Sequence, residues 1–190
     1  MIKYIITMIL AALTLMANPK GNSMENLTEI YLGGGCFWGT QGYFDLINGV
    51  VYSEVGYANG ISDQTSYNQI ARTDHAEVVR LKFDANRVDI NEILEHYFRI
   101  IDPFSINKQG NDIGRQYRTG IYYNDDKLKS VIEDFISRKQ AKFTKPIAVE
   151  IEPLKNYIKA EEYHQKYLDK NPNGYCHIDL NLASKPLYDE

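Results

Sequence analysis

Positive charge is in short supply in this chain. Its 190 residues carry 21 Lys and Arg against 25 Asp and Glu, a formal net charge of -4. Binding phosphates needs a basic footprint, so the balance argues against nucleic acid as a partner. Cysteine is scarcer still, with Cys36 and Cys176 the only 2. A structural disulfide and a redox-active pair use the same two residues, and counting does not separate them. These thiols and the scattered histidines lack metal-ligand spacing, so no metal is expected. Internal repeats, low-complexity tracts and a second domain are missing too. The length suits one domain with a sizeable core.

Beyond the start of the chain there is no long hydrophobic run. Lys3 gives a short positive start, residues 4–16 are almost continuously apolar, and Ala17 is a small residue before the polar stretch from Asn18 to Asn22. That order is that of a secretory signal peptide, and it is short for a membrane span. Residues 1–22 are therefore read as signal peptide and linker and 27–190 as the folded domain. An exported, periplasmic or otherwise extracytoplasmic protein is expected, with an uncleaved membrane-tethering segment as the alternative.

The most informative stretch is Gly33-Gly34-Gly35-Cys36-Phe37-Trp38-Gly39. It follows a β-like run, 28–32, and opens a helix-like run, 37–48. A cysteine at such a junction faces unpaired backbone N–H groups and the positive end of the helix dipole, which favour thiolate. Glycines allow a sharp turn and close approach. Phe37 and Trp38 place apolar rings beside the sulfur. The stretch thus reads as a nucleophile next to a pocket for a small apolar group, although a buried structural cysteine fits the same residues.

Periodicity predicts further strands at 50–57, 76–83, 117–123 and 147–151. A helix is expected from Ile90 to Ile101, opened by a capping box of Asp89 and Glu92 and stopped at Asp102-Pro103. Another follows Asn124 or Asp125, with Leu128, Ile132 and Phe135 inward, and a last helix would use Ala160, Tyr163, Tyr167 and Leu168. Residues 105–116 form a long polar loop, of the kind that often carries function. The order β-α-β-β-α-β-α-β indicates an α/β (α+β) two-layer sandwich with a mixed sheet, loosely ferredoxin-like, and an extended C-terminal segment.

In the strand at 76–83, Glu77 shares its phase with Val79, Leu81 and Phe83. A carboxyl in such a setting can hold a proton near neutral pH and act as an acid, although a paired or edge-exposed glutamate fits the same spacing. His75 reads as a surface residue beside Asp74. Cys176 lies in a turn-rich C-terminal segment that suits a resolving thiol. Tyr57, Asp112 and Tyr117 stand at strand and loop ends, where they could hydrogen-bond a polar substrate atom.

Taken together, Gly35-Cys36-Phe37-Trp38, Gly56-Tyr57-Ala58, His75-Ala76-Glu77-Val78, the run from Gln109 to Arg118 and Gly174-Tyr175-Cys176-His177 closely resemble the A-type peptide methionine sulfoxide reductases. The likeness spans about residues 29–179. It implies reduction of methionine-S-sulfoxide, in proteins and in free form. Cys36 would be the nucleophile, Glu77 the proton donor and Cys176 the resolving cysteine. Phe37 and Trp38 would hold the S-methyl group, and Tyr57, Asp112 and Tyr117 would bind the sulfoxide oxygen. No bound cofactor is implied; the electron donor would be an external thioredoxin-like dithiol. The chain departs from the family at Asp74, where glycine is usual, and at Ile101 and Phe104, where many members have histidine and threonine. A Cys-His hydrolase and a non-catalytic binding module with a Cys36–Cys176 bridge are the rival readings.

Overall fold

The computed structural model of the protein describes residues 27–187. The expected signal peptide lies outside the described residues. In chain order the elements are β1 (Leu27–Gly34), α1 (Phe37–Phe44), β2 (Val50–Ala58), α2 (Ile70–Thr73), β3 (Ala76–Asp84), α3 (Ile90–Ile100), β4 (Lys108–Gln109), β5 (Asp112–Ile113), β6 (Thr119–Tyr123), α4 (Asp126–Gln140), β7 (Glu150–Pro153), β8 (Ile158–Lys159) and α5 (Tyr167–Lys170).

The main sheet has 6 strands in the order β7-β6-β1-β3-β2-β8. All neighbours are antiparallel except β6 and β7, so the sheet is mixed. The core packs one sheet face, with Ile30, Leu32, Val79, Leu81 and Phe83, against Phe44 of α1, Ile93 and Leu94 of α3 and Phe135 of α4. α3 forms where expected, and its Asp89–Glu92 capping box is complete. A cap of this kind contributes about 1 kcal/mol. From α3, buried Tyr97 donates to the Gly33 carbonyl at 2.7 Å. That bond fixes the end of β1 just before Cys36.

The opposite phase of β3 is not left to solvent as strict alternation predicts. Ala76 and Val78 join Tyr31, Ala58 and Tyr122 in a second small cluster, covered by Leu154 and Tyr157. A segment distant in sequence supplies that cover, so alternation along β3 cannot reveal it.

Other differences are local. α1 ends at Phe44, not near Asn48. The long polar loop contains the β4–β5 hairpin. Tyr117 sits in a 3-10 turn, Arg115–Tyr117, and not in a strand. β7 begins three residues later than periodicity indicates and pairs in parallel with β6. The last helix shrinks to the 4 residues of α5. Before it, Ile158 and Lys159 add to the edge of β2, and Lys166 adopts φ +51°, which stops a helix from propagating backward.

Candidate active site

Cys36 follows β1 and takes the N-cap position of α1. The bend before it occurs at Gly35, with φ +81°. A side chain there would place its first carbon 2.5 Å from Cβ of Gln109, so only glycine fits. Cys36 is 7% exposed. Burial pushes its thiol up to about 12, helped by the Glu77 carboxylate; the backbone N–H groups of Trp38 and Gly39 pull the other way but do not prevail. The expectation that the helix end would leave a resting thiolate is therefore corrected. The sequence displays the dipole but not the depth of burial that outweighs it.

Glu77 behaves as its phase in β3 predicts. It is 1% exposed, and burial raises its carboxyl to about 8 against the opposing effect of the Phe37 N–H. That N–H donates to Glu77 Oε2 at 3.1 Å. A protonated Glu77 no longer repels electrons on Cys36, so acid and thiol are compatible neighbours at neutral pH.

Tyr57 stands directly across the β2–β3 ladder from Glu77. Its phenol donates to Glu161 Oε2 at 2.6 Å, so in this state its proton is committed there. Tyr117 closes its 3-10 turn with its phenol facing Glu77 and Tyr67; burial, then Glu77, raises its pKa above the usual tyrosine value. Asp112, on β5, accepts from the Tyr175 phenol at 3.0 Å.

Phe37 is buried and Trp38 half-buried. The Trp38 indole stacks on Tyr167 at 3.7 Å and 11°, and its Nε1–H donates to Nδ1 of His164 at 3.0 Å. His164 is itself packed between Phe37, Tyr67 and Tyr163. Cys176 is a free thiol, as Cys36 is. Its Sγ lies 3.1 Å from where a side chain on Gly39 would begin, so it rests against the first turn of α1.

The expected residues thus converge on one end of the sheet. A family model described as peptide methionine sulfoxide reductase matches residues 28–190.

This chain belongs to the peptide methionine sulfoxide reductase family.

Solved structures agree. Mxr1 from Saccharomyces cerevisiae in reduced form is 38% identical, over 81% of this chain and 91% of that one, with a TM-score of 0.74. Methionine sulfoxide reductase A of Corynebacterium diphtheriae is 35% identical, over 80% and 78%, with a TM-score of 0.70. A third match is Mxr1 in complex with Trx2, 26% identical over 81% and 94%, with a TM-score of 0.54.

Sequence reasoning missed part of this reductase's site. Glu161 receives Tyr57 and also accepts the backbone N–H of Tyr67 at 3.0 Å. Tyr67 borders Glu77 and Cys36. His164 and Tyr167 brace Trp38, yet the expected last helix absorbed their segment. His75, read as a surface residue, is fully buried, with Nδ1 2.9 Å from the Thr73 hydroxyl. The departures have local explanations. Asp74 has φ +55°, which explains why glycine suits the position, and it pairs with Arg115. Ile101 is buried beside Gly34, and Phe104 packs edge-on against Phe143.

Proposed function

We propose that this reductase converts methionine-S-sulfoxide, in proteins and in free form, to methionine in two half-reactions. In the first, the Cys36 sulfur attacks the sulfoxide sulfur. Glu77 donates a proton to the oxygen as charge develops there, with Tyr57 and Tyr117 as hydrogen-bond donors and Asp112 completing the polar wall. Phe37 and Trp38 hold the methyl group. Methionine leaves, the oxygen remains on Cys36 as a sulfenic acid, and sulfur has been oxidised by two electrons. In the second, Cys176 attacks that sulfur. The S–S bond forms, the S–O bond breaks, and the thiol proton leaves with the hydroxide as water.

An external dithiol then reduces the disulfide and becomes oxidised in turn. The yeast relative crystallised with Trx2 supports a thioredoxin-like donor. No bound cofactor takes part. The N-terminal sequence supports export, and export would call for a donor outside the cytoplasm.

The observation that carries the reading is the joint burial of Cys36 and Glu77, with the Phe37 N–H on the Glu77 carboxyl. The test uses a methionine sulfoxide peptide with dithiothreitol. Cys36→Ser should form no methionine. With thioredoxin in place of dithiothreitol, Cys176→Ser should form about one methionine per enzyme and then stop. Turnover by the Cys36 variant overturns the reading.

A further inference from the structure

Both neighbours of Cys176 reach one oxygen. Tyr175 donates its phenol O–H to Oδ2 of Asp112 at 3.0 Å. His177 places Nδ1 3.7 Å from the same Oδ2. Tyr175 is 43% exposed, so its ring has little packing and the bond to Asp112 is what holds it. His177 is inserted instead. A first side-chain carbon at Gly35 would fall 3.2 Å from its Cε1, and one at Gly110 would fall 3.1 Å from its Cβ. Its side chain is 8% exposed, and neither ring nitrogen makes a side-chain hydrogen bond. The mechanism above uses neither residue.

Residues 171–178 contain no helix or strand to hold Cys176 in place. Its thiol donates to the Ile178 carbonyl at 3.2 Å, lies against Gly39 and packs on the rim of the main core. The side chains that bracket it therefore set its approach to Cys36. Their common anchor stands on the β4–β5 hairpin, whose Gln109 packs over Gly35.

We propose that Tyr175 and His177 are positioning residues for the recycling step, holding Cys176 within reach of Cys36, Tyr175 through its hydrogen bond to Asp112 and His177 through its ring inserted against Gly35 and Gly110. The inference rests on Cys176 being the resolving thiol and narrows that role to its second half-reaction. Neither residue has a chemical step of its own. They act on the fraction of time the Cys176 thiol spends poised to displace hydroxide from the Cys36 sulfenic acid.

The test separates the two half-reactions. Reduced enzyme is mixed with one equivalent of a methionine sulfoxide peptide and quenched over time. Methionine and loss of the first titratable thiol report the first step, and loss of the second thiol, that of Cys176, reports disulfide formation. Tyr175→Phe should slow disulfide formation about tenfold, the effect of losing one hydrogen bond to a charged group, and His177→Gln should slow it too by removing the ring packed against Gly35 and Gly110. The double variant should be slower still. The methionine burst should stay within about twofold of wild type in amplitude and rate, which a general loss of structure would not allow. Thermal melts of each variant monitor folding. Disulfide formation at the wild-type rate in the double variant overturns the inference, as does a burst slowed as much as the second step. Cys176→Ser tells this failure from a deeper one. If that variant still recycles, the resolving role itself is wrong.

Discussion

The backbone N–H of Phe37 donates to Glu77 Oε2 at 3.1 Å, across 40 residues of sequence. One bond thus ties the first turn of α1 to the strand that carries the acid. It also aims the carboxyl, because the N–H occupies one oxygen and leaves the other free to carry a proton. The Phe37 backbone therefore positions the carboxyl that the proposed mechanism uses as its acid.

Glu77→Gln keeps an acceptor for that N–H and removes the proton. The methionine burst should slow by roughly 10²-fold or more. In the wild type the burst rate should fall as pH rises through about 8, where the carboxyl ionises. Stability follows the same sign. A folded-state pKa raised above the unfolded value means the folded form binds the proton more tightly. Stability is therefore full below the ordinary glutamate range and declines as pH rises toward about 8. Glu77→Gln should abolish that decline and melt above wild type at pH 9, by roughly 5 °C. Melting curves across pH check it.

His164→Phe removes the acceptor for Trp38 Nε1 and keeps a ring in the same space. The indole should lose its fixed orientation, and KM for the sulfoxide should rise about fivefold with a smaller change in kcat. The chain has 1 tryptophan, so fluorescence reads this change directly. Acid should do the same to the wild type. A protonated imidazole has two donors and no acceptor. Burial lowers the His164 pKa, so the fluorescence change should appear only below the usual histidine range.

Asp74 and Arg115 form a two-bond ion pair, at 2.5 and 2.9 Å, between the turn before Glu77 and the turn that ends at Tyr117. The pair is partly exposed, so its stability contribution is about 1 kcal/mol or less. Its effect should show in Tyr117. Asp74→Asn tolerates the left-handed backbone and loses the charge, and it should raise KM about twofold with little change in Tm. Added salt should bring wild type and variant together.

All 4 methionines fall at or before Met24, which leaves residues 27–190 without one. A domain that repairs oxidised methionine contains none to be oxidised. After mild peroxide treatment and thiol reduction, the isolated 27–190 segment should gain no 16-dalton adducts at methionine and should keep its activity. Mass spectrometry and the peptide assay check both.

Much of the site was legible because each residue obeys a local rule. The alternation of β3 sends Glu77 inward. Glycines before Cys36 permit the bend, and helix spacing begins at Phe37. Segments 160–170 and 171–178 obey no such rule. Their residues have no period of their own, because contacts with Val55 of β2, Trp38 and Asp112 hold them, more than 60 residues away in each case. Helical spacing of Tyr163, Tyr167 and Leu168 therefore misled, and Glu161 and His164 went unnoticed.

The amino-acid order alone settled the strand–glycine–cysteine–helix junction, the capped α3 and the inward carboxyl, since these depend on backbone preference and side-chain period over short spans. The tertiary structure alone decided how deeply Cys36 is buried and that Tyr57 donates its hydrogen bond to Glu161. It also decided that Tyr175 and His177 stand beside Asp112. Each of these depends on how much water is excluded and on which distant group arrives to replace it, and neither quantity is written in any local stretch of sequence.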